Sequence, residues 1–253
     1  MRLDLYLVEH HPFESRHKAQ VEIKNNRIKV NGKVINKPSY NVQAGDQVTI
    51  LEAYNPYVGK GGLKLAHALA TFKFDVKGLH ALDIGASTGG FTECLLEHGV
   101  ESVKTIDVGS EQLHPRLRED SRVEVHENKN FLDVDACFIE GIDVVVMDVS
   151  FTSSIPLIQH LFQFYDQTTI VLVKPQFETL ETPKSGVIKS RKMHQKVLEA
   201  YLQRLEVLGL VIDQITPSPI LGGSGNIEFL CVIKKGFKSS DVLSAVEAAY
   251  KIF

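Results

Sequence analysis

The stretch Leu82-Asp83-Ile84-Gly85-Ala86-Ser87-Thr88-Gly89-Gly90-Phe91 is an apolar run that ends in a glycine-rich turn and opens a helix. Glycines there let a ligand approach the backbone, and the helix N-terminus supplies free amides. Three chemistries compete for the turn. A dinucleotide site wants Gly-x-Gly-x-x-Gly, but Ser87 holds the middle glycine position. Gly85-Ala-Ser87-Thr-Gly89 also fits the Gly-x-Ser-x-Gly elbow of hydrolases, with Asp166 and His194 in triad order. That elbow sits after several strands, whereas this one follows the first strand of its domain. Binding of S-adenosyl-L-methionine uses such a turn for the methionine part, here Asp83, Gly85, Ser87, Thr88, Gly89, Gly90 and Phe91. It also needs an acid ending the second strand for the ribose hydroxyls and a contact after the third for the adenine. Asp107, 18 residues beyond Gly89, and Asn130 stand in those places, so this reading is preferred. Glycines that serve tight packing alone are the bland alternative.

Methyl transfer to a hydroxyl needs the oxygen held in line with the sulfonium methyl and help in removing a poorly acidic proton. Asp148 closes the apolar run Val144-Val-Val-Met147, and Lys174 closes Ile170-Val-Leu-Val173. In a doubly wound sheet, strand C-termini point into the ligand crevice. Burying opposite charges at adjacent strand ends is costly unless they are used, although a plain salt bridge stays open as a reading. Lys174 is the candidate to take the proton, or only to orient the hydroxyl while the proton leaves to water.

The elements that must position these groups alternate beyond residue 62. Strands are predicted at 81–84, 103–108, 123–125, 142–148, 169–174, 211–216 and 228–233, and helices at 63–72, 91–98, 155–164, 192–208 and 239–250. Alternation of this kind implies an α/β fold with a mainly parallel, doubly wound, Rossmann-like sheet covered on both faces. Ahead of it lies a small α+β unit: helices at 2–8 and 15–23, a hairpin about Asn31-Gly32, and a strand at 47–51. Ser15 is the N-cap of the second helix, Ala19 and Ile23 form its apolar face, and Asn25-Asn26 close it. The domains expected are 1–52, a Pro/Gly linker at 53–61, and 62–253.

Composition narrows the classes. With 43% hydrophobic and 23% charged residues the chain reads as an ordinary globular protein, and its apolar runs are too short to span a membrane. No apolar signal core follows Met1, so a cytoplasmic location is expected. Cys94, Cys137 and Cys231 are too scattered for a disulfide framework or zinc site and are expected as buried thiols. No metal site is expected among the ten histidines, which lack HExxH spacing. A net charge of −3 hides an asymmetry: residues 1–50 hold eight Lys/Arg against five Asp/Glu, the remainder 20 against 26. Basic residues gathered at one end suggest a polyanionic partner there; a solvated face is the alternative.

Arg2-Leu3-Asp4, Ser15-Arg16 with Ala19 and Ile23, Val30-Asn31-Gly32-Lys33 and Gly45-Asp46 resemble the RNA-binding domain named after the fourth small-subunit ribosomal protein. That resemblance implies binding of structured RNA through backbone and shape. Lys64 and Glu228, added to Asp148 and Lys174, resemble the Lys-Asp-Lys-Glu set of ribose 2′-O-methyltransferases of the FtsJ type. The whole chain is similar to the TlyA family, often labelled hemolysin but acting on rRNA. Its motifs appear as Asp83-Ile-Gly-Ala-Ser-Thr-Gly-Gly-Phe91, Asp148-Val-Ser-Phe151, Val173-Lys-Pro-Gln-Phe-Glu178 and Ser224-Gly-Asn-Ile-Glu228. The resemblance implies S-adenosyl-L-methionine as cofactor and ribosomal RNA as partner, with Arg2, Arg16, Lys18, Lys33 and Lys60 toward RNA. Lys60 departs from the usual arginine, which keeps the charge but not the fork geometry. Lys189 and Arg191, from a basic stretch at 184–196, are further candidates for the RNA strand. The start so close to Arg2-Leu3-Asp4 is similar to the shorter subtype, which implies a cytidine of large-subunit rRNA. A pore-former, the reading the hemolysin label suggests, would need a strongly amphipathic basic helix; Val242, Ala245, Val246 and Ala249 instead predict a docked C-terminal helix. A catalytically inactive RNA-binding protein is the remaining alternative.

Overall fold

Asn31 and Gly32 both take positive φ, 50° and 78°, the conformation a two-residue hairpin turn requires and Asn-Gly supplies most readily. In the computed structural model they join two strands of the N-terminal unit. The structure describes residues 1–253 except 12, 14, 25, 52–54, 182, 184 and 238. The chain divides into two compact units, Met1–Pro56 and Tyr57–Phe253.

The first unit comprises α1 (Leu3–His10), α2 (Arg16–Lys24), β1 (Ile28–Val30), β2 (Lys33–Val34) and β3 (Val48–Ile50), with an antiparallel sheet in the order β2-β1-β3. Ser15 accepts from the Lys18 amide, so the predicted cap is made. Asn26 takes φ 60° at the helix end; the Asn25 half of that signal lies outside the described residues. Leu3, Leu7, Ala19, Ile23 and Ile28 are fully buried and carry the small core.

The second unit comprises α3 (Gly61–Phe72), β4 (His80–Ile84), α4 (Gly90–Glu97), β5 (Ser102–Ile106), α5 (Pro115–Arg118), β6 (Val123–His126), α6 (Ala136–Ile139), β7 (Val144–Met147), α7 (Ile155–Leu161), β8 (Thr169–Val173), α8 (Arg191–Val207), β9 (Leu210–Pro217), β10 (Phe229–Lys235) and α9 (Val242–Ile252). The seven strands run β6-β5-β4-β7-β8-β10-β9, all parallel but for β10, which is antiparallel to both neighbours. The order reverses between β4 and β7, the switch point where an open α/β sheet leaves its ligand crevice. The continuously buried runs of β7 and β8 are what a sheet covered on both faces demands.

Three expectations change. Residues 57–61, read as linker, belong to the second unit, where Tyr57 is buried and Gly61 starts α3; residues 53 and 54 lie outside the described part. Cys137 is exposed, while Cys94 and Cys231 are buried as expected. The four-residue helices α5 and α6 are too short to carry a periodic signal and are not foreseen. The apolar side of α9 is buried at Val242, Ala245, Val246 and Ala249. Among the described residues no helix is long and apolar enough to cross a membrane, and no group of three or more His, Cys, Asp or Glu is placed to hold a metal ion.

Candidate functional site

The parallel register sets Ile84 of β4 beside Met147 of β7, so the residues just beyond them, Gly85 and Asp148, meet at one sheet edge. Gly85 takes φ 83°, and a side chain there would strike the Asp148 backbone oxygen at 2.8 Å. Only glycine allows that approach. Lys174 follows β8, and Glu228 precedes β10. Because β10 runs antiparallel, with Phe229 opposite Val173, its starting end reaches the edge where the parallel strands finish. The first strand, two middle strands and a returning strand thus deliver their terminal polar residues to one place.

These residues form two ion pairs. Lys64, on α3, donates from Nζ to Glu228 Oε2 at 2.6 Å, and both residues are buried. Lys174 Nζ lies 2.6 Å from Asp148 Oδ1 and donates to Ser150 Oγ at 2.7 Å. The Asp148 contact is an ion pair off the hydrogen-bond direction, since Oδ1 has no hydrogen-bond partner among the described residues. A cavity of about 240 Å³ lies beside them, lined among others by Lys60, Lys64, Ser87, Thr88, Phe91 and Asp148.

Asp83 is fully buried beneath the glycine turn; Thr92 donates to its Oδ2 at 2.6 Å, and Oδ1 is without a hydrogen-bond partner among the described residues. Burial pushes its carboxyl up to about 7, and the nearby negative charges of Asp148 and Asp107 act in the same direction. At Gly89, φ 95°, the position a side chain would take is filled by Leu117 and Leu113. Glycine there answers to protein packing, which corrects the expectation that its lack of a side chain admits a ligand. Gly90 begins α4. Asp107 already accepts from the Ser87 amide at 2.8 Å and the Gly109 amide at 2.7 Å, and each carboxylate oxygen keeps a lone pair for a further donor. Asn130 is exposed, and its oxygen caps a short 3₁₀ turn by accepting from Leu132; its amide nitrogen is the group left for a ligand.

Among the described residues no hydrogen bond joins His194 to Ser87, as the hydrolase reading would need. Asp107 holds the Ser87 amide, and His194 is buried in α8 with Nδ1 3.0 Å from the Tyr250 hydroxyl.

The basic residues are placed unevenly. Arg2 and Arg16 both donate to the buried Asp4, as does Gln20, and each arginine remains about half exposed. Lys33 is exposed on β2, and Lys18 is half-buried on α2. Arg191 pairs with Glu247 and Lys196 with Glu181, so two cations of the 184–196 stretch are already matched, and Lys189 is exposed; Lys184 lies outside the described residues.

Glu178 and Phe151, quoted in the sequence only as ends of family motifs, gain their contacts in the structure. Buried Glu178 accepts from the Ser153 and Ser154 hydroxyls, the Ser154 amide and Arg204, tying the loop after β7 to the loop after β8. Phe151 is 91% exposed, sits at φ 65° and stands 5.5 Å from the Phe177 ring. A bulky exposed side chain held in the left-handed region is uncommon and a pointer to function.

Residues 57–235 match the FtsJ-like methyltransferase family, and residues 1–48 match the S4 domain. Hemolysin A of Brachyspira hyodysenteriae is 36% identical, over 91% of this chain and 98% of its own length. The 16S/23S rRNA (cytidine-2′-O)-methyltransferase TlyA of Mycobacterium tuberculosis is 35% identical, over 90% of this chain and 87% of its own. A solved structure of a hemolysin-labelled protein from Streptococcus thermophilus has a TM-score of 0.77 at 33% identity, covering 100% of this chain and 96% of its own. With an N-terminal S4 domain before a catalytic unit that matches over most of its length, the chain belongs to the FtsJ-like methyltransferase family.

Proposed function

We propose that the protein methylates a ribose 2′-hydroxyl of ribosomal RNA, at a cytidine of the large subunit, in the compartment that holds the ribosomes. The observation that carries this reading is the pair of ion pairs, Lys64–Glu228 and Lys174–Asp148, gathered at the strand ends beside the glycine turn. The turn fits S-adenosyl-L-methionine: the cavity is open beside residues 85–88, and Asp107 and Asn130 offer an acceptor and a donor at the next two strand ends. Asp83, Gly85, Ser87, Thr88, Gly90 and Phe91 would hold the methionine portion, and Asp148 would border the reacting end. When bound, the cofactor supplies an electrophilic methyl group on a sulfonium.

The rest falls to the chain's own side chains. Lys174 donates to Ser150 and lies beside Asp148 as an ion pair, which leaves an N–H direction for the acceptor hydroxyl. Asp148 and Ser150 fix where that nitrogen stands. The second pair holds Lys64 at the same edge, so two ammonium groups and two carboxylates add no net charge while keeping the oxygen in line. Lys64, Lys174 and Glu228 are buried, and fixed charges act most strongly where water is thinned out. Phe151 offers an exposed ring on which a base drawn out of the RNA can stack. Lys33, Lys18, Lys60, Lys189 and the outward parts of Arg2, Arg16 and Arg191 are the groups proposed to meet phosphate.

The test is to map ribose 2′-O-methylation on rRNA from cells lacking the gene, then to restore the mark with purified protein, S-adenosyl-L-methionine and subunits. Unchanged 2′-O-methylation with no activity on either subunit would overturn the reading.

A further inference from the structure

Residues 107–114, which follow β5, are fastened on two sides. Toward the glycine turn, Asp107 accepts from Ser87, the His114 amide donates to Thr88 O at 3.2 Å, and Leu113 and Leu117 fill the space beside Gly89. Toward the loop after β6, the Asn128 amide donates to Gly109 O and the Lys129 amide to Asp107 O. At the join stands Glu127. Its Oε2 accepts from the Glu111 amide at 2.6 Å, and its Oε1 from the Gln112 amide at 3.0 Å and the Leu113 amide at 3.1 Å. Arg118 pairs with the same Oε1 and donates from Nε to Leu113 O. Three successive amides converging on one carboxylate amount to a loop closed around an anion that the protein itself provides.

Two residues flanking the join, Glu111 and Asn128, sit at φ 53°, a conformation that persists when surrounding contacts impose it. The Arg118 guanidinium beside Glu127 holds its carboxyl down to about 2, with the amides adding to the effect. Glu127 is therefore anionic throughout the working pH range. Without that charge, the amides of residues 111–113 would lose their shared acceptor, and the loop would be held to the one after β6 by the Asn128 and Lys129 bonds at its start.

We propose that Glu127 is a positioning residue for the adenosyl half of S-adenosyl-L-methionine, locking the loop that carries Asp107 to the loop that carries Asn130. The proposal rests on the cofactor assignment made above and adds a residue that touches neither cofactor nor RNA. It separates Glu127 from a merely structural carboxylate, because the loss falls on cofactor affinity and leaves the chemical step intact.

The experiment uses the full chain. Calorimetry measures S-adenosyl-L-methionine and 5′-methylthioadenosine, which carries the adenosyl half alone, against wild type, Glu127→Gln and Arg118→Met. Glu127→Gln keeps the shape but turns an amide N–H donor toward backbone donors. It is expected to weaken both ligands by about tenfold or more. Its kcat at saturating cofactor and its KM for rRNA should stay within about twofold of wild type. Arg118→Met, which keeps carboxylate and amides, is expected to lose a few-fold in both affinities. Wild-type affinities in a folded Glu127→Gln protein would overturn the proposal. So would a variant that loses kcat and melting temperature while its cofactor KM is unchanged. Should Glu127→Gln not fold, wild-type affinities in Arg118→Met overturn it instead. A wild-type chain that binds neither ligand overturns the cofactor assignment first and this inference with it.

Discussion

Asp4 and Asp83 are both fully buried carboxylates, and the two units of the chain treat them in opposite ways. Asp4 accepts from Arg2 Nε and Nη2, Arg16 Nε and Gln20 Nε2, at 2.7–2.9 Å. The Arg2 guanidinium foremost, then Gln20 and Arg16, hold its carboxyl well below the usual carboxylate range in spite of burial. Asp83 has one short bond from Thr92 and an oxygen without a hydrogen-bond partner among the described residues, and burial pushes it upward. A buried charge that is fully satisfied binds elements together; one left short raises the free energy of the folded state. The contrast teaches that the N-terminal unit uses charge to fold, whereas the catalytic unit accepts electrostatic cost where the proposed cofactor turn begins.

The comparison breaks first if the catalytic unit's charges turn out to be structural. Lys174→Ala is expected to lower turnover by roughly three orders of magnitude while leaving cofactor and RNA binding and the melting curve nearly unchanged. Single-turnover methylation and calorimetry on the same preparation check this. Lys174→Arg then sharpens it: arginine keeps the cation but does not give up its proton. Near wild-type turnover in that variant assigns Lys174 to orientation of the hydroxyl, and loss assigns it the proton.

On the other side, Asp4→Ala is expected to destabilise the N-terminal unit by about 1–3 kcal/mol, tempered because Arg2 and Arg16 can turn to water. Since the folded carboxyl is depressed, its contribution is present above the unfolded pKa of about 4 and is lost as pH falls through the folded value. Hydrogen exchange of the Leu7 and Ile23 amides, compared at neutral and acidic pH, reads both the effect and its fading.

Asp83→Asn should show the opposite sign. The wild-type carboxyl is raised, so its stabilising protonated form is fully present below about pH 4 and is lost as pH rises through about 7. Wild-type stability should decline over that window, by a few kcal/mol at most, and the variant's curve should be flatter. Denaturant melts across the window decide it; parallel curves would remove the contrast with Asp4.

The smallest effect expected is at the RNA. Reversing Arg16 would set a carboxylate against buried Asp4 and unfold the unit it was meant to discharge. Lys33→Glu avoids that, being exposed on β2. Binding of rRNA should weaken at every salt concentration, and the slope of log K against log salt should flatten by about one. An unchanged slope would remove Lys33 from the interface.

What could be read from the one-dimensional chain was whatever depends on neighbours in sequence. The glycine turn after β4, the Asn31-Gly32 hairpin, the Ser15 cap, and Asp107, Asp148 and Lys174 at the ends of apolar runs all announce themselves within a few residues. A strand's last polar residue is legible because parallel strands end at the same edge. Lys64 and Glu228, by contrast, were reached only through family resemblance, because their meeting depends on β10 turning antiparallel, a choice no local pattern encodes. The arginines of the N-terminal unit looked free for RNA because Asp4, two residues from Arg2 but twelve from Arg16, binds both only once α1 and α2 pack. Glu127 draws no notice in the sequence, since three backbone amides 14–16 residues away carry no side-chain signature. Local periodicity and turn chemistry determine which elements form and where their ends lie. Tertiary structure alone decides which charges become partners, because burial, register and strand direction set that distance, and a charge's effect depends on distance and on the water left around it.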